Sequence, residues 1–470
     1  MRSVHVLRRR PGCDPFQAPG GIQSQIVLAT QTHAILTCRG LPTQIPLRAN
    51  HDPQCSSFRA GGRLSGVAKV NVKRLFCPIQ PYAWGSHNFI SELQGRASPT
   101  TDPEAELWMG AHPTAPSQVQ INGERLSLDD VIARDRVDAL GGRVVERFGG
   151  ELPFLLKVLA AEQPLSLQAH PSRAQAEAGF AAEEAAGIPL SDAFRNYKDR
   201  RHKPELIVAL TPFVALCGFR HVPTTRRLFD KLAVARLDRY LAPLRAGNPQ
   251  KGLRETCALL FSASRHEQVA IVESVLEAGR RLASDNGEFE AELGWAVRLG
   301  GLYPGDIGVV VALLLNLVRL QPHQALYLSA GNLHSYLSGA GVEIMANSDN
   351  VLRGGLTPKR IDVPGLLRVL EFSELEPSVL SPLSTGGAEA VYSAPAEDFR
   401  LSCLSVAGGV NVTDRDGPEI VLATEGSAML ASGSETIELQ SGTAAFVPAS
   451  APPYSLAGTA TVFRATVPLR

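Results

Sequence analysis

The chain has 470 residues, of which 44% are hydrophobic and 20% charged, with 46 Lys+Arg against 46 Asp+Glu. That length suits two or three domains around a large core, and the neutral balance argues against nucleic acid or an anionic membrane as a partner. The longest apolar run, residues 307–318, is too short to span a bilayer and contains Asn316, so it reads as a buried helix.

Residues 1–70 carry nine Lys+Arg against Asp14 and Asp52, a net +7 that leaves −7 for the remaining 400 residues. No apolar segment follows Arg8–Arg10, which argues against a secretory signal. Residues 1–71 read as a disordered tail or as upstream sequence from a misassigned start, with a transit peptide as the weaker option, and no function is expected there. Seven cysteines occur without a CxxC pair. This disfavours a disulfide scaffold and a thiolate zinc cluster, and it fits a reducing cytoplasm. Metal ligands would have to be His, Asp, Glu or amide.

From Val72 onward, short apolar stretches alternate with turn residues, as in residues 74–85, 105–113 and 117–123, and these read as strands. PFLLKVLAAEQPLSLQAHPS (153–172) reads as two strands joined by a polar turn. Residues 172–187 are rich in Ala and Glu and read as a helix capped by Ser172. Residues 202–220 return to strand, with Pro204 tolerated near the start.

Residues 222–318 read as a helical insert. Asn248 caps a helix with Pro249 in its first position. Ser264 and Glu267 form a capping box before a helix on which Val269, Val272, Val275, Leu276 and Leu282 recur at helical spacing. YPGD (303–306) is a turn that opens the apolar helix. Strands resume at 317–350, a short helix ends 355–372, and from about 376 the chain has the strand-turn rhythm of a small jelly roll. Part of that segment resembles the second half of a cupin barrel but offers no histidine, so it reads as a metal-free copy.

Three segments carry the chemistry. In a strand, residues i and i+2 share a face. That places Ser166, Gln168 and His170 together in LSLQAHPS, Lys203 with Glu205 in HKPEL, and His334 with Tyr336 after the Gly331–Asn332 turn. Two imidazoles, a carboxylate and an amide oxygen suit Zn²⁺, with Mn²⁺, Fe²⁺ or Co²⁺ as substitutes. Singly, each residue has a bland explanation: a lone strand histidine is more often structural, and a glutamate before an apolar strand is often a solvated end. Together they carry weight because neighbouring barrel strands can aim side chains at one interior point.

QPYAWGS (80–86), AELWMGAHP (105–113), LSLQAHPS (165–172), HKPE (202–205) and residues 330–359 closely resemble, in family order, the type I mannose-6-phosphate isomerases, which are cupin-type zinc phosphomannose isomerases. The resemblance runs over roughly 72–375. It implies a mainly β fold with a cupin-type jelly-roll catalytic domain (72–221 and 319–375), the inserted α-helical domain (222–318) and a second, C-terminal jelly roll (376–470). It also implies one zinc per chain on Gln168, His170, Glu205 and His334, with Arg353 as the catalytic arginine. Lys203, His202, Glu343 and Asp349 are implied near substrate, and Ser166, Lys359 and Tyr336 in substrate or phosphate binding. The implied reaction interconverts D-mannose 6-phosphate and D-fructose 6-phosphate through a cis-enediol. That would supply GDP-mannose synthesis and allow mannose use, in a cytoplasmic monomer with no partner beyond the sugar phosphate. PH at 322–323, where relatives usually have PG, is a small departure away from the ligands.

This ligand set leaves a site of about +1 with Zn²⁺, and replacing Gln168 by Glu would bring it to zero. A net positive site polarises the substrate oxygens and stabilises an enediolate. Arg353 does not titrate near neutral pH and suits electrostatic stabilisation, while Lys359 suits a phosphate dianion. The base stays open among Asp349, Glu343, His202 and a metal-bound hydroxide. An iron dioxygenase cupin would need a histidine where Gln168 stands. A catalytically dead carbohydrate-binding cupin would have lost Arg353 or a ligand.

Overall fold

The computed structural model describes residues 71–282 and 287–469. The expectation for residues 1–71 therefore lies outside the described residues, save for Asn71, whose amide donates to Glu435 at 2.9 Å.

The strand His334–Ala346 organises the part of the fold that matters for function. Its later residues, from Gly339 to Ala346, lie between Phe154–Ala161 and Glu205–Ala209. Its first residues, from His334, lie between Phe213–Phe219 and Leu167–Ala169. One strand thus contributes to two layers. The change falls at Gly339, where φ is +110° and an added Cβ would sit 2.6 Å from the Pro212 carbonyl oxygen. Only glycine suits such a bend. Glu106–Met109 and Ile79–Gln80 extend the first layer on one side, and Ala325–Leu328 and Val379–Leu380 on the other. Leu352–Gly355 and Leu315–Leu320 complete the second layer.

Strand alternation decides what each layer buries. Outward residues of the first layer (Leu156, Val158, Leu206, Val208, Val342, Ile344) share one core with Leu401, Phe446 and Phe463 of the C-terminal β domain. Outward residues of the second layer (Leu167, Ala169, Leu216, Leu337, Leu352) share a core with Leu228, Leu253 and Val275 of the helical block. Each such leucine, isoleucine, valine or phenylalanine contributes roughly 1.5–3 kcal/mol on burial. The inward faces meet each other. They are apolar at one end, with Leu159, Ile207, Phe213 and Leu328, and polar at the other.

The C-terminal domain is an antiparallel sheet built on Arg400–Val412, Glu419–Ser432 and Tyr454–Thr466. Lys73–Leu75 joins it by pairing with Ala444–Val447, although it stands at the start of the segment read as catalytic. Among the described residues this domain presents no His/Cys/Asp/Glu group of metal-binding geometry. Its fully buried Glu419 is satisfied by Arg464 (2.7 Å), Arg415 (3.1 Å) and the Tyr454 hydroxyl (2.8 Å).

Several sequence readings need correction. The run 307–318 is not one helix. Gly308–Ala312 is helical, and Leu315–Leu320 is a strand paired with Phe213–Phe219. Residues 202–220 form two strands, Glu205–Ala209 and Phe213–Phe219. The helices Leu128–Arg134, Arg136–Leu140 and Gly142–Phe148 were not foreseen. Ser264 accepts from the Glu267 N–H, but the Glu267 carboxylate pairs with Arg239 instead of closing the box. The Ser172 capping box is complete, through Gln175, and Asn248 caps its helix with Pro249 at the start. No helix among the described residues is long and apolar enough to cross a membrane.

Candidate metal centre and active site

Register explains which side chains converge. Gln168 lies opposite His334 on one side and Arg353 on the other, so all three share a face of the second layer. His170, two residues on from Gln168, joins them. In the first layer, Lys157 lies opposite Trp108 and Glu343, and Glu205 lies opposite Met345. Glu106 and Glu205 fall on that same face by the two-residue repeat. The two rows look at each other across the polar end of the barrel.

His170, Glu205 and His334 are all buried, and their ligand atoms lie within 4.8 Å of one another. His170 Nε2 stands 3.2 Å from one Glu205 oxygen, and His334 Nε2 stands 3.4 Å from the other. Two ligands of one tetrahedral zinc, each about 2.1 Å from it, would be about 3.4 Å apart. Among the described residues, His170 Nε2 is buried without a hydrogen-bond partner. A buried lone pair with no partner is costly unless something else binds it.

The far side of each ring is fixed. His170 Nδ1 meets the Asn350 carbonyl at 2.7 Å, and His334 Nδ1 meets the Asn332 carbonyl at 2.9 Å. A carbonyl only accepts, so each Nδ1 carries a proton, and in the neutral ring Nε2 is left to present its lone pair inward. Asn350 is itself held: its amide donates to the Asp199 and Arg201 carbonyls at 2.9 and 2.8 Å. Burial pushes the His170 imidazole down to about 4, so it is neutral at pH 7. Burial alone would raise Glu205, but Lys203, 3.0 Å away, and His170 hold it well below the usual carboxylate range. Neutral imidazoles and an ionised carboxylate are what a divalent ion needs. The residues fit the group.

A cleft of about 530 Å³ opens over this centre. Of the residues singled out from the sequence, it is lined by Ser166, Gln168, Lys203, Asp349, Arg353 and Lys359. Asp349 lies 3.3 Å from the Nε2 of the buried His112. Burial opposes its ionisation, but the His112 contact holds its carboxyl below the ordinary aspartate value. Arg353 is partly buried, which lowers its pKa. The Arg353 cation in turn lowers that of Lys359. Among the described residues neither cation has a carboxylate in ion-pair range. Two like charges are thus held together without a counter-ion.

Two expected residues sit behind the cleft. Tyr336 and Glu343 are buried, and the Tyr336 hydroxyl donates to Glu343 at 3.0 Å. Burial raises the Glu343 pKa, with Glu205 and Glu106 adding to it against Lys157. His202 is not brought to the site. One residue before Lys203 in extended chain, it turns the other way, and its Nε2 meets Asp398 of the C-terminal domain at 2.7 Å.

The sequence reading missed Lys157, Glu106, Trp108 and His112. Lys157 is buried between Glu106 (3.4 Å) and Glu343 (3.3 Å), and the Trp108 indole N–H donates to Glu106 at 2.6 Å. Burial works against the Lys157 cation, yet those two carboxylates keep its pKa above the ordinary lysine value. The signal was a single charge inside an otherwise apolar strand, in FLLKVLAA and ELWM.

A two-layered β barrel with a buried His/Glu/His centre at one mouth defines a cupin-type metalloprotein site. The model for the type I phosphomannose isomerase catalytic domain matches residues 72–222, and that for the mannose-6-phosphate isomerase cupin domain matches 389–467. The chain is 41% identical to the Escherichia coli (strain K12) mannose-6-phosphate isomerase over 394 residues, covering 82% of this chain and 97% of that one. It is 33% identical to the Macaca fascicularis enzyme, covering 82% and 95%. The solved mannose 6-phosphate isomerase of Salmonella typhimurium, bound to its substrate fructose 6-phosphate and to zinc, superposes with a TM-score of 0.78 at 38% identity, covering 85% of this chain and all of that one. The chain belongs to the type I phosphomannose isomerase family.

Proposed function

We propose that the protein interconverts D-mannose 6-phosphate and D-fructose 6-phosphate, using one zinc ion held by Gln168, His170, Glu205 and His334. The observation that carries this reading is the buried His170/Glu205/His334 group beneath a cleft that holds an ionised carboxylate and two cations, where among the described residues the His170 nitrogen has no hydrogen-bond partner and the cations no counter-ions. When bound, the ion supplies Lewis-acid polarisation of the two substrate oxygens between which charge shifts.

The chain's own residues do the rest. Arg353 keeps a fixed positive charge beside the developing enediolate. Asp349 is our choice for the group that moves the proton between C1 and C2. It lines the cleft and is ionised, whereas Glu343 is tied to Tyr336 and Lys157 behind it and Glu106 is tied to Trp108 and Lys157. Lys157 stays protonated between its two carboxylates and suits electrostatic support rather than base work. Lys203 holds Glu205 ionised as a ligand. Lys359 and Ser166 bind the phosphate, whose double negative charge answers the two adjacent cations.

We further propose that the enzyme acts as a monomer in the cytoplasm, without nucleic acid, and feeds GDP-mannose synthesis and mannose use. The four described cysteines, all free thiols, support a reducing compartment. The division into catalytic barrel, helical insert and C-terminal jelly roll is proposed in the same sense, supported by the barrel's interior core, the C-terminal sheet's own core and the two family matches. Incubation of mannose 6-phosphate in D₂O, followed by NMR, tests the reaction type. Deuterium on C1 of the fructose 6-phosphate formed is expected from an enediol whose proton exchanges with solvent. Conversion with no deuterium in either sugar over many turnovers would count against a solvent-exchanging base such as the half-exposed Asp349.

A further inference from the structure

Resting on the isomerase reading, we propose that the YPGD turn of the helical block, residues 303–306, is a brace that sets the separation of the two loops at the phosphate end of the cleft. Tyr303 and Asp306 are then positioning residues for the phosphate group.

The turn reaches both loops. The Tyr303 hydroxyl donates to the Pro164 carbonyl at 2.9 Å, two residues before Ser166. Asp306 accepts the Thr357 N–H at 3.3 Å on one oxygen and the Gly308 N–H at 2.7 Å on the other. The Thr357 hydroxyl in turn accepts the Lys359 N–H at 3.1 Å. A continuous chain of bonds therefore runs from the turn to the residue that faces phosphate.

Packing leaves little slack. A Cβ added to Gly308 would lie 2.8 Å from Gly355 Cα, and one added to Gly355 would lie 2.6 Å from Gly308 Cα. The backbone after the turn thus touches the strand that carries Arg353, at a residue with φ of +127°. From behind, Arg265 donates to the Gly305 carbonyl at 2.9 Å, which pins the turn to the long helix Arg265–Leu282. Arg353 and Lys359 repel each other, so an unbraced loop would relax by separating them. Holding them close before substrate arrives spares the ordering cost at binding. Tyr303 lines the same cleft, but neither it nor Asp306 is among the residues that would hold the metal.

Phosphate sits at the end of the sugar remote from C1 and C2. Contacts there are the same in ground and transition states, so losing them raises KM more than it lowers kcat. The test uses Tyr303→Phe and Asp306→Asn in the full-length zinc enzyme, with inorganic phosphate as a calorimetric probe. Each variant removes one bond. In both, KM for mannose 6-phosphate and Kd for phosphate should rise together by about five-fold, with kcat within about two-fold and zinc content unchanged. In a Lys359→Ala background, Asp306→Asn should add no further rise, since it acts through that loop.

Unchanged KM and phosphate Kd in both variants would overturn the brace, as would a full additional rise in the Lys359→Ala background. A fall in kcat at constant KM would do the same, by marking a merely structural role. Failure of the isomerase reading is separate. If the wild type did not turn over mannose 6-phosphate, weakened phosphate binding in the variants would still support the brace, and unweakened or absent phosphate binding would overturn it.

Discussion

At His170 the environment has settled the protonation state before any ion arrives. The unfolded histidine titrates at about 6.5, whereas burial holds the folded one at about 4. Between these values the unfolded chain binds a proton that the folded chain does not, so stability rises with pH across this window. The metal-stripped protein should therefore lose roughly 3 kcal/mol as pH falls from about 6.5 to about 4, and this contribution should level off below. Glu205, with its depressed pKa, adds a loss only below about 4.5. Urea midpoints at a series of pH values, on stripped wild type and His170→Gln, check this. The wild type should show the steeper slope between about 4.5 and 6.5, and equal slopes would contradict the assignment.

Gln168 makes a complementary point about charge. As the fourth member of the proposed ligand set, its amide would keep that set at one negative charge, and Gln168→Glu would add a second. We expect that variant to bind metal at full stoichiometry by elemental analysis while losing at least ten-fold in kcat, because the electrophilic charge falls to zero. Unchanged turnover would show that net charge at the centre is not what drives the reaction. At this scale the sequence was readable where function needs an uncommon residue beside a turn, as with Gln168, His170 and His334. It was less readable where sign and direction depend on a neighbour. His202 looked equivalent to Lys203 until extended geometry turned it toward Asp398. Lys157 passed as one charge in an apolar strand until register set it between two carboxylates.

Among elements, the strand His334–Ala346 does the most to assemble the site, because it delivers His334 to one layer and Glu343 to the other. Its bend depends on Gly339. Gly339→Ala would strain a positive φ and press a methyl against the Pro212 carbonyl and the Phe213 backbone, neither of which can move aside. The expected cost is roughly 2–4 kcal/mol, read as a lower urea midpoint with an unchanged m-value. A change below about 0.5 kcal/mol would mean that the bend is not strained in this way. Alternating strands such as Leu167–Ala169 were legible because one face is polar and the other apolar. The run 307–318 was misread because every position is buried or nearly so, which removes the periodicity that separates helix from strand. The helices between Leu128 and Phe148 span only one or two turns each, too short to show a period.

On the scale of the whole molecule, the site is a seam between two layers, each backed by a different body. The helical block packs on the layer that carries Gln168, His170 and Arg353, and the C-terminal sheet packs on the layer that carries Lys157 and Glu205. Neither body need touch the sugar to matter, since the helical block backs the layer of three proposed ligands, Gln168, His170 and His334, and the C-terminal sheet backs the layer of the fourth, Glu205. The fold class followed from strand rhythm and family motifs. The pairing of Lys73–Leu75 into the C-terminal sheet did not, because it depends on contacts more than 350 residues apart in sequence.

The most direct test of this account is mannose 6-phosphate isomerisation by the purified protein, coupled to fructose 6-phosphate detection, before and after chelation. We predict activity that is lost with EDTA and restored by about one equivalent of zinc per chain. Full activity in protein shown by elemental analysis to be free of metal would contradict the assignment of His170, Glu205 and His334 as the catalytic centre.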